Sequence, residues 1–233
     1  MRQELSKEEV HIWSSYIAHS AYDVDKRFTY LEPAEKERAQ GFYFERDRTR
    51  FVQSRYLLKL LLAKYIGKAA SEIRFVYNPY GKPALMDQQA KLYFNISHAG
   101  DWVIMAFAKD IEMGIDLAYH HPTEDISGLI SPDIFTDREL SYFDNATPIK
   151  RQALFYKLWA CKEAYLKAIG TGLSVAPNNV EVTLRENGEV SVVKYQQESY
   201  TNYYLIALKN ISDPYVGCLA VPKLPDGIRY FRI

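Results

Sequence analysis

The sequence predicts an α/β (α+β) fold built from two similar halves that pack closely together. Short apolar runs typical of strands alternate with long stretches in which apolar residues recur at helical spacing. This series of strands and one long helix occurs roughly twice along the 233 residues, and no low-complexity linker separates the two occurrences. We therefore expect an N-terminal half over residues 1–110 and a C-terminal half over residues 111–233.

The first half begins with a strand of mixed apolar and polar residues at 10–17. A charged stretch at 23–41 is predicted to be helical, and Pro33 within it suits the first turn of a helix. The long helix of this half covers 45–66, and Gly67 ends it. The strands that follow are predicted at 73–77, 92–96 and 102–108, with a turn at 78–81.

The second half opens with a short strand at 113–117, followed by a polar connection. A strongly helical stretch covers 152–169, and Gly170 and Gly172 close it. Residue identity between the halves is too low to establish a sequence repeat. The remaining strands are predicted at 180–184, 190–195, 203–208 and 215–221.

Composition and charge exclude several classes of function. Lysines and arginines number 29, as do aspartates and glutamates, so no global field attracts nucleic acid or a membrane surface. No apolar run is long enough to span a bilayer, and residues 1–10 lack the apolar core of a signal peptide. Cys161 and Cys218 are too few for a disulfide framework and are expected to fill the core. We expect a cytoplasmic monomer.

Two carboxylates are candidates for chemistry. Asp116 lies within an otherwise apolar strand, where a charge is costly unless it is paired or holds a cation. Two interpretations are therefore open: Asp116 is a metal ligand, or it forms a salt bridge at the end of the strand. Trp159, Glu163 and Lys167 follow at intervals of four residues on one helix face. The common meaning of such spacing is a Glu–Lys surface pair, and the alternative is a site. Lys162 projects elsewhere, towards solvent.

A third candidate is the Ser97-His98 pair, at the end of an apolar strand where it enters a turn containing Gly100. Both side chains can donate to a phosphate oxygen, or they can satisfy backbone groups of the turn. The fourth candidate is a basic cluster that suits phosphate but is interleaved with acidic residues, so a solvated charged helix is the alternative. Its members are Lys36, Arg38, Arg46, Arg48, Arg50, Arg55 and Lys82.

Taken in order along the chain, these motifs resemble the Sfp-type 4′-phosphopantetheinyl transferases, and the form Trp159–Ala164 resembles their W/KEA subgroup. The resemblance covers most of the chain. The matching motifs are Arg46-Asp47-Arg48-Thr49-Arg50-Phe51, Gly81-Lys82-Pro83, Phe94-Asn95-Ile96-Ser97-His98, Gly114-Ile115-Asp116, Trp159-Ala160-Cys161-Lys162-Glu163-Ala164, Lys167 and Gly170-Thr171-Gly172-Leu173-Ser174.

The resemblance implies a pseudo-dimer of two similar halves, each a small, mostly antiparallel sheet packed with a long helix, with the active site between them. It implies transfer of the phosphopantetheine arm of coenzyme A to a serine of a fatty-acid, polyketide or peptide carrier protein, with Mg²⁺ as cofactor. Asp116 and Glu163 would bind Mg²⁺, Glu163 would also act as the base, and Lys167 would assist the leaving phosphate. The residues implied for coenzyme A are Ser97 and His98 at its phosphates, Arg50 and Lys82 at its nucleotide end, Arg38 at its 3′-phosphate, and Lys162.

The chain departs from the family pattern at two positions. Ala118 stands where many members have a third carboxylate, and Ala99 stands where some related sequences have a glutamine. Mg²⁺ usually keeps several waters, so two carboxylates suffice, with a weaker affinity expected. A catalytically impaired relative and a purely structural protein are the competing hypotheses. The segment after His120 is expected to receive the carrier or to pack in the core, through Ile126, Leu129, Ile130, Ile134 and Phe135.

Overall fold

The structure is a computed structural model that describes residues 3–17, 23–121, 123–185, 190–195, 198–199 and 203–233. Its helices are α1 (Val24–Phe28), α2 (Pro33–Gln40), α3 (Glu45–Ile66), α4 (Asp137–Asp144) and α5 (Pro148–Ile169). Its strands are β1 (Glu9–Tyr16), β2 (Phe75–Tyr77), β3 (Pro83–Leu85), β4 (Leu92–Ala99), β5 (Trp102–Lys109), β6 (Gly114–Tyr119), β7 (Val180–Leu184), β8 (Val190–Tyr195), β9 (Glu198–Ser199), β10 (Tyr204–Ala207), β11 (Tyr215–Val221) and β12 (Gly227–Arg232).

The strands form two larger sheets and a small hairpin. The first sheet has the order β12-β1-β5-β4, the second has the order β6-β11-β10-β8-β7 with β9 on β8, and β2 pairs with β3. All pairs are antiparallel except β1 with β12. The mixed α/β class with mostly antiparallel sheets is therefore confirmed. The sequence analysis missed β3, β9 and β12, and β12 lies in the first sheet although it belongs to residues 111–233. The division at residue 110 stays a prediction.

Each long helix packs on the outer face of one sheet. In the first half α3 covers the sheet, where Leu58 and Leu62 share a core with Phe107. In the second half α5 covers the sheet, and both cysteines are buried free thiols there, as expected. The inner faces of the two sheets share a third core that includes Val10, Ala106, Ile115 and Leu219. No helix among the described residues is long and apolar enough to cross a membrane.

A buried ion pair recurs at the same place in the two halves. Both long helices have 22 residues and end at a glycine with positive φ. At the same position in each long helix, a fully buried lysine forms an ion pair with a glutamate, which is the third residue of the preceding short helix. Lys59 Nζ lies 3.2 Å from Glu35 Oε2, and Lys162 Nζ lies 2.7 Å from Glu139 Oε2. This correspondence confirms two similar halves, although little sequence identity connects them.

The two sheets meet at their edges, where β4 of the first sheet runs beside β6 of the second. Two side chains of β4 accept hydrogen bonds from backbone N–H groups of β6: Asn95 Oδ1 accepts from Ile115 (2.8 Å) and Ser97 Oγ accepts from Leu117 (3.2 Å). An unpaired N–H on a buried edge strand is costly, so these bonds satisfy β6 on the side that β11 leaves free. This seam places Ser97 beside Asp116.

Gly114 allows β6 to lie directly against α5. A Cβ atom at this position would come within 2.0 Å of the Ala164 carbonyl oxygen and 2.4 Å of the Ala168 backbone nitrogen. Both atoms are backbone atoms of a packed helix, so they cannot move aside as a flexible side chain can. The close approach of β6 and α5 brings Asp116, two residues after Gly114, next to the α5 side chains.

We expect Gly114→Ala to lower the free energy of unfolding by about 3 kcal/mol or more, since the added methyl forces β6 away from α5. Gly128→Ala is the matched control, because a Cβ at Gly128 meets no atom within 4 Å. Urea unfolding followed by circular dichroism measures both variants. Equal stabilities for the two variants would show that the close approach is not required.

Candidate functional site

Eight charged side chains line a pocket of about 630 Å³ between the two halves. Its walls come from α2, α3, the turn before β3, β4, β6 and α5. The pocket therefore brings together residues that are far apart in the sequence. Of the residues singled out by the sequence analysis, it collects Arg38, Arg50, Lys82, Ser97, His98, Asp116, Glu163 and Lys167.

Asp116 contacts both Ser97 and Lys167, and these two side chains also contact each other. Ser97 Oγ donates to Asp116 Oδ1 (2.7 Å), and Lys167 Nζ donates to Asp116 Oδ1 (2.6 Å) and to Ser97 Oγ (2.9 Å). Asp116 is buried and Lys167 is partly buried, so solvent screens this pair less than it screens a surface pair. Asp116 is therefore salt-bridged, as one of the two interpretations expected, and it also faces the pocket. Its role as a metal ligand stays a prediction.

Glu163 lies in the same pocket but does not pair with Lys167. Its Oε1 atom is buried and has no hydrogen-bond partner. Burial raises the pKa of the Glu163 carboxyl, the negative charge of Asp116 raises it further, and the Lys167 ammonium opposes both effects. The Glu–Lys surface pair suggested by the four-residue spacing is therefore wrong: Lys167 turns to Asp116, and Glu163 is left as an uncompensated carboxylate.

These two carboxylates fit a hard divalent cation. An oxygen atom that is buried without a partner, beside a second carboxylate, gains most from a cation placed between them. Among the described residues no group of three acidic, histidine or cysteine side chains is arranged to hold a metal ion. Ala118 follows Asp116 on the same face of β6 and presents only a methyl group. A bound Mg²⁺ would thus receive two carboxylates from this part of the chain.

His98 faces the pocket from β4 with an exposed ring. The surrounding protein shields the imidazole from water, and this desolvation lowers the pKa of His98. The positive charges of Lys167 and Arg50 lower it further. The imidazole is therefore held neutral near neutral pH, with one N–H to donate and one nitrogen to accept. An anion that brought negative charge close to the ring would favour the protonated form again.

Helix α3 supplies a second set of unsatisfied polar atoms to the pocket. Arg50 Nε, Ser54 Oγ and Arg55 Nη1 are buried without hydrogen-bond partners. The other nitrogens of Arg50 donate to Asp101 Oδ1 (3.0 Å) and Asp47 Oδ1 (3.5 Å), which fixes the guanidinium. The alternative of a solvated helix is thus wrong for this face. The sequence analysis gave Ser54 no role and left Arg55 unassigned, and their spacing of four and five residues from Arg50 was the available signal.

Lys82 lines the pocket, but its ammonium already has three acceptors. It donates to Ala168 O (2.8 Å), Glu112 Oε1 (3.2 Å) and Met113 O (3.4 Å), and burial lowers its pKa. In the same turn, Asn78 Nδ2 donates to Gly170 O (2.7 Å). The turn before β3 is therefore fastened to the end of α5, and Lys82 helps to build the wall of the pocket.

The structure corrects the prediction for Lys162. This side chain is fully buried and faces neither solvent nor the pocket. Its ammonium pairs with Glu139 and donates to the carbonyl oxygens of Pro177 (3.0 Å) and Val180. All three N–H groups of the ammonium are thereby used, so none remains for coenzyme A. Neighbouring positions on a helix point in different directions, which is why Lys162 and Glu163 have separate roles.

A smaller apolar pocket of about 330 Å³ lies on the other side of Trp159. The segment after His120 packs in the core in part, as one of its two expected roles requires, and its role in receiving a carrier stays a prediction. Ile126 and Phe135 are buried in the core, whereas Leu129 is 41% exposed. The residues of this pocket include Ala99, Ala118, Tyr119, Leu129, Ile134, Phe155 and Trp159.

Comparisons with known proteins agree on one family. The sequence model described as the 4′-phosphopantetheinyl transferase superfamily matches residues 112–220, and one described as 4′-phosphopantetheinyl transferase, N-terminal, matches residues 18–110. The chain is 34% identical over 172 residues to the 4′-phosphopantetheinyl transferase HetI of a Nostoc species, covering 73% of this chain and 72% of that protein. It is 32% identical over 207 residues to Sfp of Bacillus subtilis, covering 88% and 89%.

A solved structure titled as a holo-(acyl-carrier-protein) synthase from Bacillus anthracis in complex with CoA (3′,5′-ADP) is 22% identical. It covers 48% of this chain and 95% of that chain, with a TM-score of 0.39. The holo-[acyl-carrier-protein] synthase of Thermotoga maritima is 24% identical and has a TM-score of 0.38, covering 48% of this chain and 62% of that chain.

The raised pKa of Glu163 predicts a pH-dependent stability. A carboxyl group whose pKa is higher in the folded state binds its proton more tightly there, so stability falls as pH rises from the ordinary pKa through the raised one. In metal-free buffer we expect Glu163→Gln to be more stable than the parent at about pH 7, and the difference to vanish below about pH 4. Urea unfolding across this range tests it, with the exposed Glu37→Gln as control; a difference independent of pH would contradict it.

Proposed function

This chain belongs to the 4′-phosphopantetheinyl transferase superfamily and is an enzyme of that class, and we propose that it moves the phosphopantetheine arm of coenzyme A to a serine of a carrier protein at the pocket between its halves. The observation that supports this site best is the buried, unpartnered Oε1 atom of Glu163 near Asp116, at one end of a pocket whose other end is basic. One end suits a metal-bound pyrophosphate, and the other suits the nucleotide phosphate.

Asp116 and Glu163 would hold the Mg²⁺ ion. Carboxylate oxygens combined with substrate phosphates and waters are the ligands that Mg²⁺ prefers, and the absence of a third carboxylate at Ala118 leaves room for water. When bound, Mg²⁺ supplies charge neutralisation at the pyrophosphate and at the transferred phosphorus. Asp116 and the Oε1 atom of Glu163 are buried, which strengthens this electrostatic effect because little solvent screens it.

Glu163 is proposed as the base for the incoming serine. The serine oxygen forms a bond to the β-phosphorus of coenzyme A, the bond from that phosphorus to the bridging oxygen breaks, and 3′,5′-ADP leaves. The serine proton passes to Glu163, directly or through a water. A carboxyl with a raised pKa is a better proton acceptor than an ordinary glutamate, so the environment of Glu163 suits this role.

Lys167 is proposed to stabilise the leaving phosphate. Two of its three N–H groups are used by Asp116 and Ser97, and the third is available to the pocket. Its position four residues after Glu163 on α5 places both groups at one end of the pocket. The nucleophile belongs to the carrier, so the chain needs no reactive serine or cysteine of its own.

The basic end of the pocket is proposed to bind the nucleotide. Arg50 is held in place by two carboxylates and still has an unsatisfied Nε, and His98 has an exposed ring. Arg38 lies over the Phe51 ring, 5.2 Å from its centroid, and completes the cationic wall. Together with Arg55, these two arginines and the neutral imidazole of His98 suit the 3′-phosphate and the adenosine phosphates.

The carrier protein is proposed to dock near the smaller apolar pocket beside Trp159. This surface adjoins the metal end of the site, where the serine must arrive, and the exposed Leu129 gives it an apolar contact. Carrier proteins of fatty-acid, polyketide or peptide synthases are the substrates in question. A cytoplasmic location and a monomeric state complete this proposal.

The activity is tested by intact mass spectrometry of an apo carrier protein incubated with this chain, coenzyme A and Mg²⁺. We expect the carrier to gain the mass of one phosphopantetheine group, and Glu163→Gln to lose most of the turnover. No gain with carriers from several synthase classes would overturn the enzyme assignment for this chain. Coenzyme A binding without transfer would instead indicate an impaired relative.

Arg50→Ala is expected to weaken coenzyme A binding by roughly 10- to 100-fold, since a hydrogen bond to a charged group contributes about 1.5–3 kcal/mol. Isothermal titration calorimetry measures the dissociation constant. The control is Arg46→Ala, whose side chain is 61% exposed and lies outside the pocket. If the two variants bind coenzyme A with equal affinity, Arg50 has a structural role only.

Ala118→Glu is expected to lower the Mg²⁺ concentration that gives half-maximal rate, by roughly tenfold, because it adds a third carboxylate to the site. The smaller pocket beside Ala118 offers space for the side chain. Ala118→Gln, of equal size but uncharged, is the control. An unchanged Mg²⁺ dependence would contradict a metal shell built from two carboxylates.

A further inference from the structure

We propose that Ser97 is a positioning residue for Asp116 and Lys167, and that it does not bind a phosphate of coenzyme A. The inference rests on the proposed function and deepens it. It differs from the role implied by the sequence resemblance, which gave Ser97 and His98 the same task. The structure separates the two neighbours: Ser97 is 5% exposed, whereas the His98 side chain is open to the pocket.

The hydrogen-bonding capacity of the Ser97 hydroxyl is fully used within the protein. A serine hydroxyl has one hydrogen to donate and two lone pairs that accept. The hydrogen is donated to Asp116 Oδ1 at 2.7 Å. The lone pairs accept from the Leu117 backbone N–H at 3.2 Å and from Lys167 Nζ at 2.9 Å. A phosphate contact would require Ser97 to release Asp116, and the phosphate would then approach a carboxylate left without that donor.

Each of the three partners gains something from Ser97 that no other described residue supplies. The Leu117 N–H lies on the edge of β6 and has this hydroxyl as its acceptor across the seam. Asp116 Oδ1 receives a neutral donor in addition to the Lys167 ammonium. Lys167 is held by two acceptors in place of one, which fixes the direction of its remaining N–H group. Asn95, two residues earlier, bonds only to the backbone of Ile115.

The arrangement also determines which oxygen of Asp116 is left for a metal ion. Oδ1 is engaged by Ser97 and Lys167, while Oδ2 has no hydrogen-bond partner among the described residues. The unpartnered Oε1 of Glu163 lies in the same pocket. Groups that orient metal ligands typically change metal affinity or activity by about 10- to 100-fold when they are removed. Ser97 therefore acts on Mg²⁺ through Asp116, and coenzyme A binding without metal does not depend on it.

The test compares coenzyme A dissociation constants in EDTA and in Mg²⁺ by calorimetry. For Ser97→Ala we expect a dissociation constant in EDTA within about twofold of the parent, and a loss of about tenfold in the affinity gained on adding Mg²⁺. Ser97→Thr, which keeps the hydroxyl, should restore that gain. In turnover, which takes place in Mg²⁺, Ser97→Ala should lower kcat and raise the KM for coenzyme A, and Ser97→Thr should restore both.

Two further variants serve as the positive and the negative control. His98→Ala should weaken coenzyme A binding already in EDTA, and the exposed Ser141→Ala should change neither constant. If Ser97→Ala weakens binding in EDTA as much as His98→Ala does, or keeps the full Mg²⁺ gain, the inference is overturned. If Ser97→Ala does not fold, Ser97→Cys, which keeps a weak donor, is measured in its place. A parent chain that binds no coenzyme A would instead defeat the proposed function.

Discussion

The seam between the edges of the two sheets is the constraint on which the site depends. Strand β6 would leave backbone N–H groups unsatisfied in the interior if β4 did not face it with Asn95 and Ser97. Because a side chain accepts each bond in place of a backbone carbonyl, the two sheets stay separate and yet are held in register. The pocket lies along this seam, so the bonds that join the halves also set the position of Asp116.

The two halves share a scaffold but differ in what they present to the pocket. Each long helix is anchored by the same buried lysine–glutamate pair to the short helix before it. One position after that lysine, α5 carries Glu163 and α3 carries Leu60. The first half instead contributes guanidinium groups from α3. The two halves thus differ at the cleft: the second presents Asp116 and Glu163, and the first presents Arg50 and Arg55.

Four of the nine buried side-chain atoms that lack a hydrogen-bond partner in the described part of the chain lie at this cleft. Glu163 Oε1, Arg50 Nε, Ser54 Oγ and Arg55 Nη1 are all buried around one pocket. Each would cost stability in a purely structural protein, since a buried polar group without a hydrogen bond is penalised. A ligand with a metal-bound pyrophosphate at one end and a phosphate at the other would satisfy both ends, which explains why the cost is tolerated here.

Sequence by itself determined the long helices and most strands, because periodicity reports the buried face of an element. The order of motifs, which is specific to the family, also picked out most of the candidate residues that line the pocket. Sequence did not determine which atoms meet. The Glu163–Lys167 spacing suggested a pair that packing replaced with Lys167 and Asp116, and Lys162 proved to be buried against Glu139. Strand β12 joins β1 across nearly the whole chain, which no local pattern reveals. The partners of Ser97 were likewise decided by the tertiary structure, since they lie on β6 and α5 and are brought together only when the two sheets meet.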